Sequence, residues 1–124
     1  MTTITLYHGT DVYSALDILN NGLNSERLLK LQVNPVHLGP GLYTALDLDV
    51  AWFFASLAPN AEMLESTVIE ISLPVVELNY LLDRKEARIE PIVNVQFKAQ
   101  QVWFSLTAFG FLNQVAEFKP ILDL

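Results

Sequence analysis

Two polar ring side chains sit in short apolar runs, His8 in Leu6-Tyr7-His8-Gly9-Thr10 and Tyr43 in Gly41-Leu42-Tyr43-Thr44-Ala45. Imidazole can exchange a hydrogen bond with a hydroxyl group, a neighbouring glycine permits close backbone approach, and an aromatic face suits a flat cationic ring. Delivered from two separate elements, such groups would converge on a binding cleft, and that cleft is where chemistry is expected.

The elements that must position them read as two strand-to-helix units. Ile4-Thr5-Leu6-Tyr7 alternates like a half-buried strand, and Gly9-Thr10-Asp11 turns the chain into a helix that Asp11 or Thr10 can cap. Val12, Ala15, Leu16 and Leu19 share one face of that helix, and Gly22 after Asn20-Asn21 is its stop. Leu28 to Leu38, broken by Pro35, reads as a connecting loop carrying Lys30 and His37. Gly39-Pro40-Gly41 forms a turn into a strand at Leu42-Tyr43-Thr44, and Asp47 or Asp49 caps a helix with Val50, Phe53, Phe54 and Leu57 on its apolar face, ended by Pro59.

Farther along, Thr67 to Leu73 alternates as a strand closed by Pro74. Val75 to Leu82 reads as extended or mixed, Asp83 to Glu90 as a charged surface segment, Gln100 to Leu112 as a helix, and Gln114 to Lys119 as a strand before Pro120. With no repeat and no linker, 124 residues of which 52% are hydrophobic suit one α+β domain over 1–124.

Composition removes several chemistries. The absence of cysteine excludes disulfide frameworks, thiolate nucleophiles and cysteine-based zinc sites. Fourteen acidic against seven basic residues, a net charge of −7, argues against broad nucleic-acid binding, which depends on phosphate neutralisation. The cluster Arg84, Lys85 and Arg88 is interleaved with Asp83, Glu86 and Glu90 and reads as a solvated mixed-charge surface. No secretion signal is evident at Met1 to Thr5, and Val102 to Leu112 is too short and too interrupted to span a bilayer, so a cytoplasmic location without membrane association is expected.

Several other side chains have ordinary explanations. Trp52, Phe53 and Phe54 read as core residues of the second helix, and His37 as a loop histidine. His8 and His37 lie in unlike contexts and make a poor metal pair, so no metal is expected. Glu62, Glu65 and Glu70 lack the arrangement of paired glycosidase acids, and neither a serine-nucleophile elbow nor a phosphate-binding loop occurs.

The ordered set Leu6-Tyr7-His8-Gly9-Thr10, Asn21-Gly22-Leu23, Gly41-Leu42-Tyr43-Thr44 and Ala51-Trp52-Phe53-Phe54-Ala55 resembles the ADP-ribosyltransferase superfamily. The likeness is to its diphtheria-toxin-like and PARP-like branch, with a His-Tyr-Glu motif, and to small bacterial and phage domains that vary the third position. The resemblance implies a split antiparallel β-sheet with flanking helices and NAD as co-substrate. It further implies that His8 contacts the adenosine ribose, Gly9 holds the nicotinamide amide through its backbone, Thr10 touches the ribose, and Tyr43 stacks on the nicotinamide ring.

The third family residue, a glutamate on a late strand, bonds the other ribose and stabilises the oxocarbenium-like transition state. Gln114 is aligned with it, which removes a negative charge worth roughly 2–4 kcal/mol at a preorganised site. Glu117 would replace it only through a bulge or a shifted register. The implied activity is mono-ADP-ribosyl transfer from NAD to a protein or nucleic-acid acceptor with release of nicotinamide, in a toxin or host-modifying role. The alternative is a catalytically degenerate module that binds NAD, ADP-ribose or a protein. An RNA 2′-phosphotransferase of related fold is disfavoured by the scarcity of arginine.

Overall fold

The structure, a computed structural model, describes residues 2–31, 38–56, 65–92 and 99–121. Strand β1 (Thr3–Asp11) runs straight through Gly9 and Thr10, which the sequence suggested would form a turn; pairing with β3 (Ser66–Pro74) along its whole length holds them extended. Asp11 is the helix cap expected of it. Its carboxylate accepts hydrogen bonds from Ser14 N and Ser14 Oγ, each at 2.8 Å, and α1 (Val12–Asn21) begins at the next residue. Gly22 ends α1 with φ of 79°, a left-handed conformation that a side chain would strain.

Among the described residues, six strands form one antiparallel sheet in the order β4-β5-β2-β1-β3-β6. Strand β2 is Gly41–Ala45, β4 is Ala87–Ile92, β5 is Ala99–Ser105 and β6 is Glu117–Pro120. The helices are α1, α2 (Ser25–Leu31), α3 (Leu48–Ser56), α4 (Val75–Asp83) and α5 (Phe109–Val115), with a 3-10 turn at Leu106–Ala108. None is long and apolar enough to cross a membrane.

Alternation along the strands divides the sheet into two faces. Leu6, Leu42, Ile69, Ile71, Val102 and Phe104 are fully buried on one face, under Ala15 of α1, Leu78 and Leu81 of α4 and Phe109 and Leu112 of α5. Each such Leu or Ile contributes about 1.5–3 kcal/mol by leaving water. The other face carries a smaller cluster of Ala45, Val50, Ala51 and Val68 beneath α3. In α3 the side chains that go fully inside are the small ones, Ala51 and Ala55, while Trp52, Phe53 and Phe54 are only partly buried. Val50 is buried and Trp52 and Phe54 pack against this cluster, as expected of core residues, whereas Phe53 is not part of it.

Several expected elements differ. Leu28 to Leu31 is helical, as the end of α2, and His37 lies outside the described residues, as do Leu57, Pro59 and Glu62. Val75 to Leu82 is helical because Leu78 and Leu81 recur at helical spacing toward the core, which outweighs the β-branched Val75-Val76 start. The charged stretch after it divides: Lys85 takes a left-handed φ of 61°, and from Ala87 the chain is strand. Gln100 to Ser105 is strand, in keeping with its β-branched and aromatic content, and only the following residues turn helical. Gln114 therefore lies in α5 and not at the start of a strand, which begins only at Glu117.

Candidate functional site

Strands β1 and β2 meet in register at one described pair, Tyr7 with Ala45, whereas β1 and β3 share nine from Thr3 with Pro74 to Asp11 with Ser66. The sheet thus parts between its two central strands just beyond Tyr7. The His8 ring bridges the gap there, with Nδ1 2.8 Å from the main-chain oxygen of Tyr43. A carbonyl can only accept, so Nδ1 carries the hydrogen and Nε2 keeps a lone pair. Burial pushes the His8 pKa below 6.5, against smaller opposing effects of the Tyr43 hydrogen bond and the Asp11 charge. His8 is a neutral imidazole with one nitrogen committed to the fold.

Tyr43 is fixed at both ends of its side chain. Its hydroxyl donates to the Gly39 carbonyl at 2.7 Å and accepts from Leu38 N at 2.9 Å, and burial raises its pKa above 10.0 despite the Leu38 bond. Trp103 Nε1 donates to the same Gly39 oxygen at 3.3 Å. The turn before β2 is thereby pinned by two aromatic side chains. The phenol is occupied by backbone, so what Tyr43 has to offer a ligand is its ring face.

A side chain on Gly9 would overlap the main-chain oxygen of Ala51 and come within 2.6 Å of Ala55 N. Glycine is required here for helix α3 to lie directly on β1, a packing reason separate from ligand approach. Thr10 is buried opposite Thr67, whose hydroxyl is buried without a hydrogen-bond partner among the described residues. Both alternate to the face that carries Leu6, away from Tyr43.

The two residues assigned to the third position do not join this group. Gln114 is exposed on α5, a helix that covers the sheet face opposite Tyr43. Glu117 is exposed on edge strand β6 in register with Ser72, which pairs with Thr5, three residues from His8 along β1 and two strands away. Its carboxylate lies 3.7 Å from Lys119 Nζ in an exposed ion pair.

A residue that the sequence reading passed over does join it. Gln101 on β5 lies opposite Ala45, two residues along from Trp103, which lies opposite Tyr43. Opposed residues of an antiparallel pair project to one face, so Gln101, Ala45 and Tyr43 share the face on which Tyr7 meets Ala45. Gln101 is only 6% exposed, and its amide makes no hydrogen bond among the described residues. Among the described residues Thr67 Oγ1, and not this amide, is the buried side-chain polar atom without a partner, so the Gln101 amide still reaches solvent from this face of the sheet. The signal lay in Gln100-Gln101 ahead of Val102-Trp103-Phe104, a strand-like run hidden by the helix expectation.

Tyr43 offers an aromatic face and Gln101 an amide donor and acceptor on one face of the sheet. His8, opposite Ile69, alternates with Leu6 and Thr10 to the other face and meets this group in the gap, through its Nδ1 bond to the Tyr43 backbone. Among the described residues no three His, Asp or Glu side chains form a group that could hold a metal ion. In comparisons with known proteins, no family model, no curated protein and no solved structure matches this chain.

Proposed function

We propose that this chain is an NAD-dependent mono-ADP-ribosyltransferase of the diphtheria-toxin-like and PARP-like type, acting in the cytoplasm on a macromolecular acceptor. The observation that carries the proposal is the parting of β1 from β2 at His8, with Tyr43 and Gln101 adjacent on one face of the sheet. The strand-borne His8 and Tyr43 agree with the first two family positions, and Gln101 on late strand β5 suits the third better than Gln114 or Glu117 does.

In this reading the nicotinamide ring stacks on Tyr43, the Gln101 amide bonds the nicotinamide-side ribose, and His8 Nε2 accepts from the adenosine ribose. The bond between ribose C1′ and the pyridinium nitrogen breaks with its electron pair going to nicotinamide, which leaves neutral. The acceptor's nucleophile bonds to C1′ and releases its proton to water. The protein's share is orientation, exclusion of water and stabilisation of the transient positive charge at the ribose.

One observation favours a second reading, a module that binds NAD or ADP-ribose without cleaving it: Gln101 presents an amide where the family carries a carboxylate. Nicotinamide release from NAD by the purified protein, lost in Gln101→Ala, separates the two. Binding without release would favour the module.

A further inference from the structure

The register of the sheet puts a carboxylate beside the uncharged third position. Gln101 lies directly opposite Glu90 on β4, just as it lies opposite Ala45 on β2. Glu90 therefore projects to the same face as Gln101 and Tyr43, with its Cβ about 5 Å from that of Gln101. One row of opposed residues crosses the sheet here as Glu90, Gln101, Ala45, Tyr7 and Glu70.

The Glu90 carboxylate is oriented. Arg88 Nη2 donates to its Oε1 at 2.7 Å, and Arg88 lies opposite Trp103, on the same face. The Arg88 side chain is 52% exposed and that of Glu90 28%. Water screens the guanidinium more than the carboxylate, and the second carboxylate oxygen makes no hydrogen bond among the described residues.

We infer that Glu90 supplies, from the neighbouring strand, the negative charge that Gln101 lacks, so that two side chains divide the work of the family's single glutamate. Gln101 holds the ribose hydroxyl, and Glu90 stabilises the positive charge that grows on the ribose as the C1′–N bond breaks toward nicotinamide. This rests on the transferase reading above. Because the charge at C1′ exists mainly in the transition state, Glu90 acts on kcat and leaves the affinity for NAD nearly unchanged.

The test is steady-state nicotinamide release with NAD as the varied substrate, alongside NAD binding and thermal melting of each variant. Glu90→Gln is expected to lower kcat roughly tenfold with KM within about twofold. Moving the carboxylate across the pair, in the double variant Glu90→Gln/Gln101→Glu, is expected to restore most of the rate. Unchanged kcat in a folded Glu90→Gln protein, a rise in KM alone, or a folded double variant no faster than Glu90→Gln would overturn the inference. Wild-type protein that neither binds nor cleaves NAD would remove the transferase reading and Glu90's role together, a result distinct from active wild type with an unaffected Glu90 variant.

Discussion

His8 Nδ1 and the main-chain oxygen of Tyr43 are joined by a 2.8 Å hydrogen bond across the point where the two central strands part. The two residues singled out for their chemistry are thus also structural partners, and substituting His8 alters the position of Tyr43. One short contact ties the geometry of the cleft to the protonation of an imidazole.

That link sets a pH dependence. Burial holds the folded-state pKa of His8 below 6.5, so on acidification the unfolded chain takes up this proton before the folded one does. The stability contributed by neutral His8 is complete above 6.5 and is lost as the pH falls from there through the folded value. Melting temperatures of wild type and His8→Gln, measured between pH 8 and pH 5, should converge on acidification; a constant difference would contradict this.

Gly9→Ala places a methyl group into the backbone of α3, which cannot move aside without leaving the sheet. A loss of more than about 2 kcal/mol is expected from overpacking of this kind. Denaturant unfolding checks it, and a variant as stable as wild type would show that α3 does not lie on β1 as described.

Tyr43→Phe keeps the ring and removes the hydroxyl that joins Leu38 N to Gly39 O. About 1–2 kcal/mol of stability should be lost with these bonds, while Trp103 still holds the Gly39 oxygen. NAD affinity should fall less than fivefold in Tyr43→Phe and more than tenfold in Tyr43→Ala, because the ring face carries the stacking. Equal losses in both variants, read by titration, would assign binding to the hydroxyl instead.

Asn113 clasps the far end of α1, accepting from Leu23 N at 2.8 Å and donating to Leu23 O at 3.0 Å. Asn113→Ala should cost about 1–2 kcal/mol of stability and leave NAD turnover intact, since the clasp lies on α5 beyond the opposite sheet face. Gln114→Ala, one residue on, should change neither quantity by more than about 0.5 kcal/mol. A turnover loss in Gln114→Ala would return the third position to it.

Local signals carried α1 and β3. Asp11 and Gly22 bracket α1 through capping chemistry contained within a few residues, and Thr67 to Leu73 shows its buried face by simple alternation. Gly9 and Thr10 were misjudged because their extended shape is imposed by β3, almost sixty residues away. Likewise the strand at Gln100 to Ser105 is a central member of the sheet, buried on both faces at Gln101, Val102, Trp103 and Phe104, so its burial shows no alternation to set it apart from a helix. That ambiguity kept Gln101 out of the candidate residues, and the reading of Gln114 to Lys119 as a strand brought Gln114 in, whereas the strand begins only at Glu117. His8 and Tyr43 were visible as types in context, but their hydrogen bond and the opposition of Glu90 to Gln101 exist only through strand register.

The most direct test of the transferase reading is nicotinamide release from NAD by purified wild-type protein, Tyr43→Ala and Gln101→Ala, with cell lysate as the source of acceptor. Release by wild type that is lost in both variants, each shown to be folded by its melting transition, is the expected result. Release undiminished in both variants, or no release and no NAD-induced stabilisation of wild type, would contradict it.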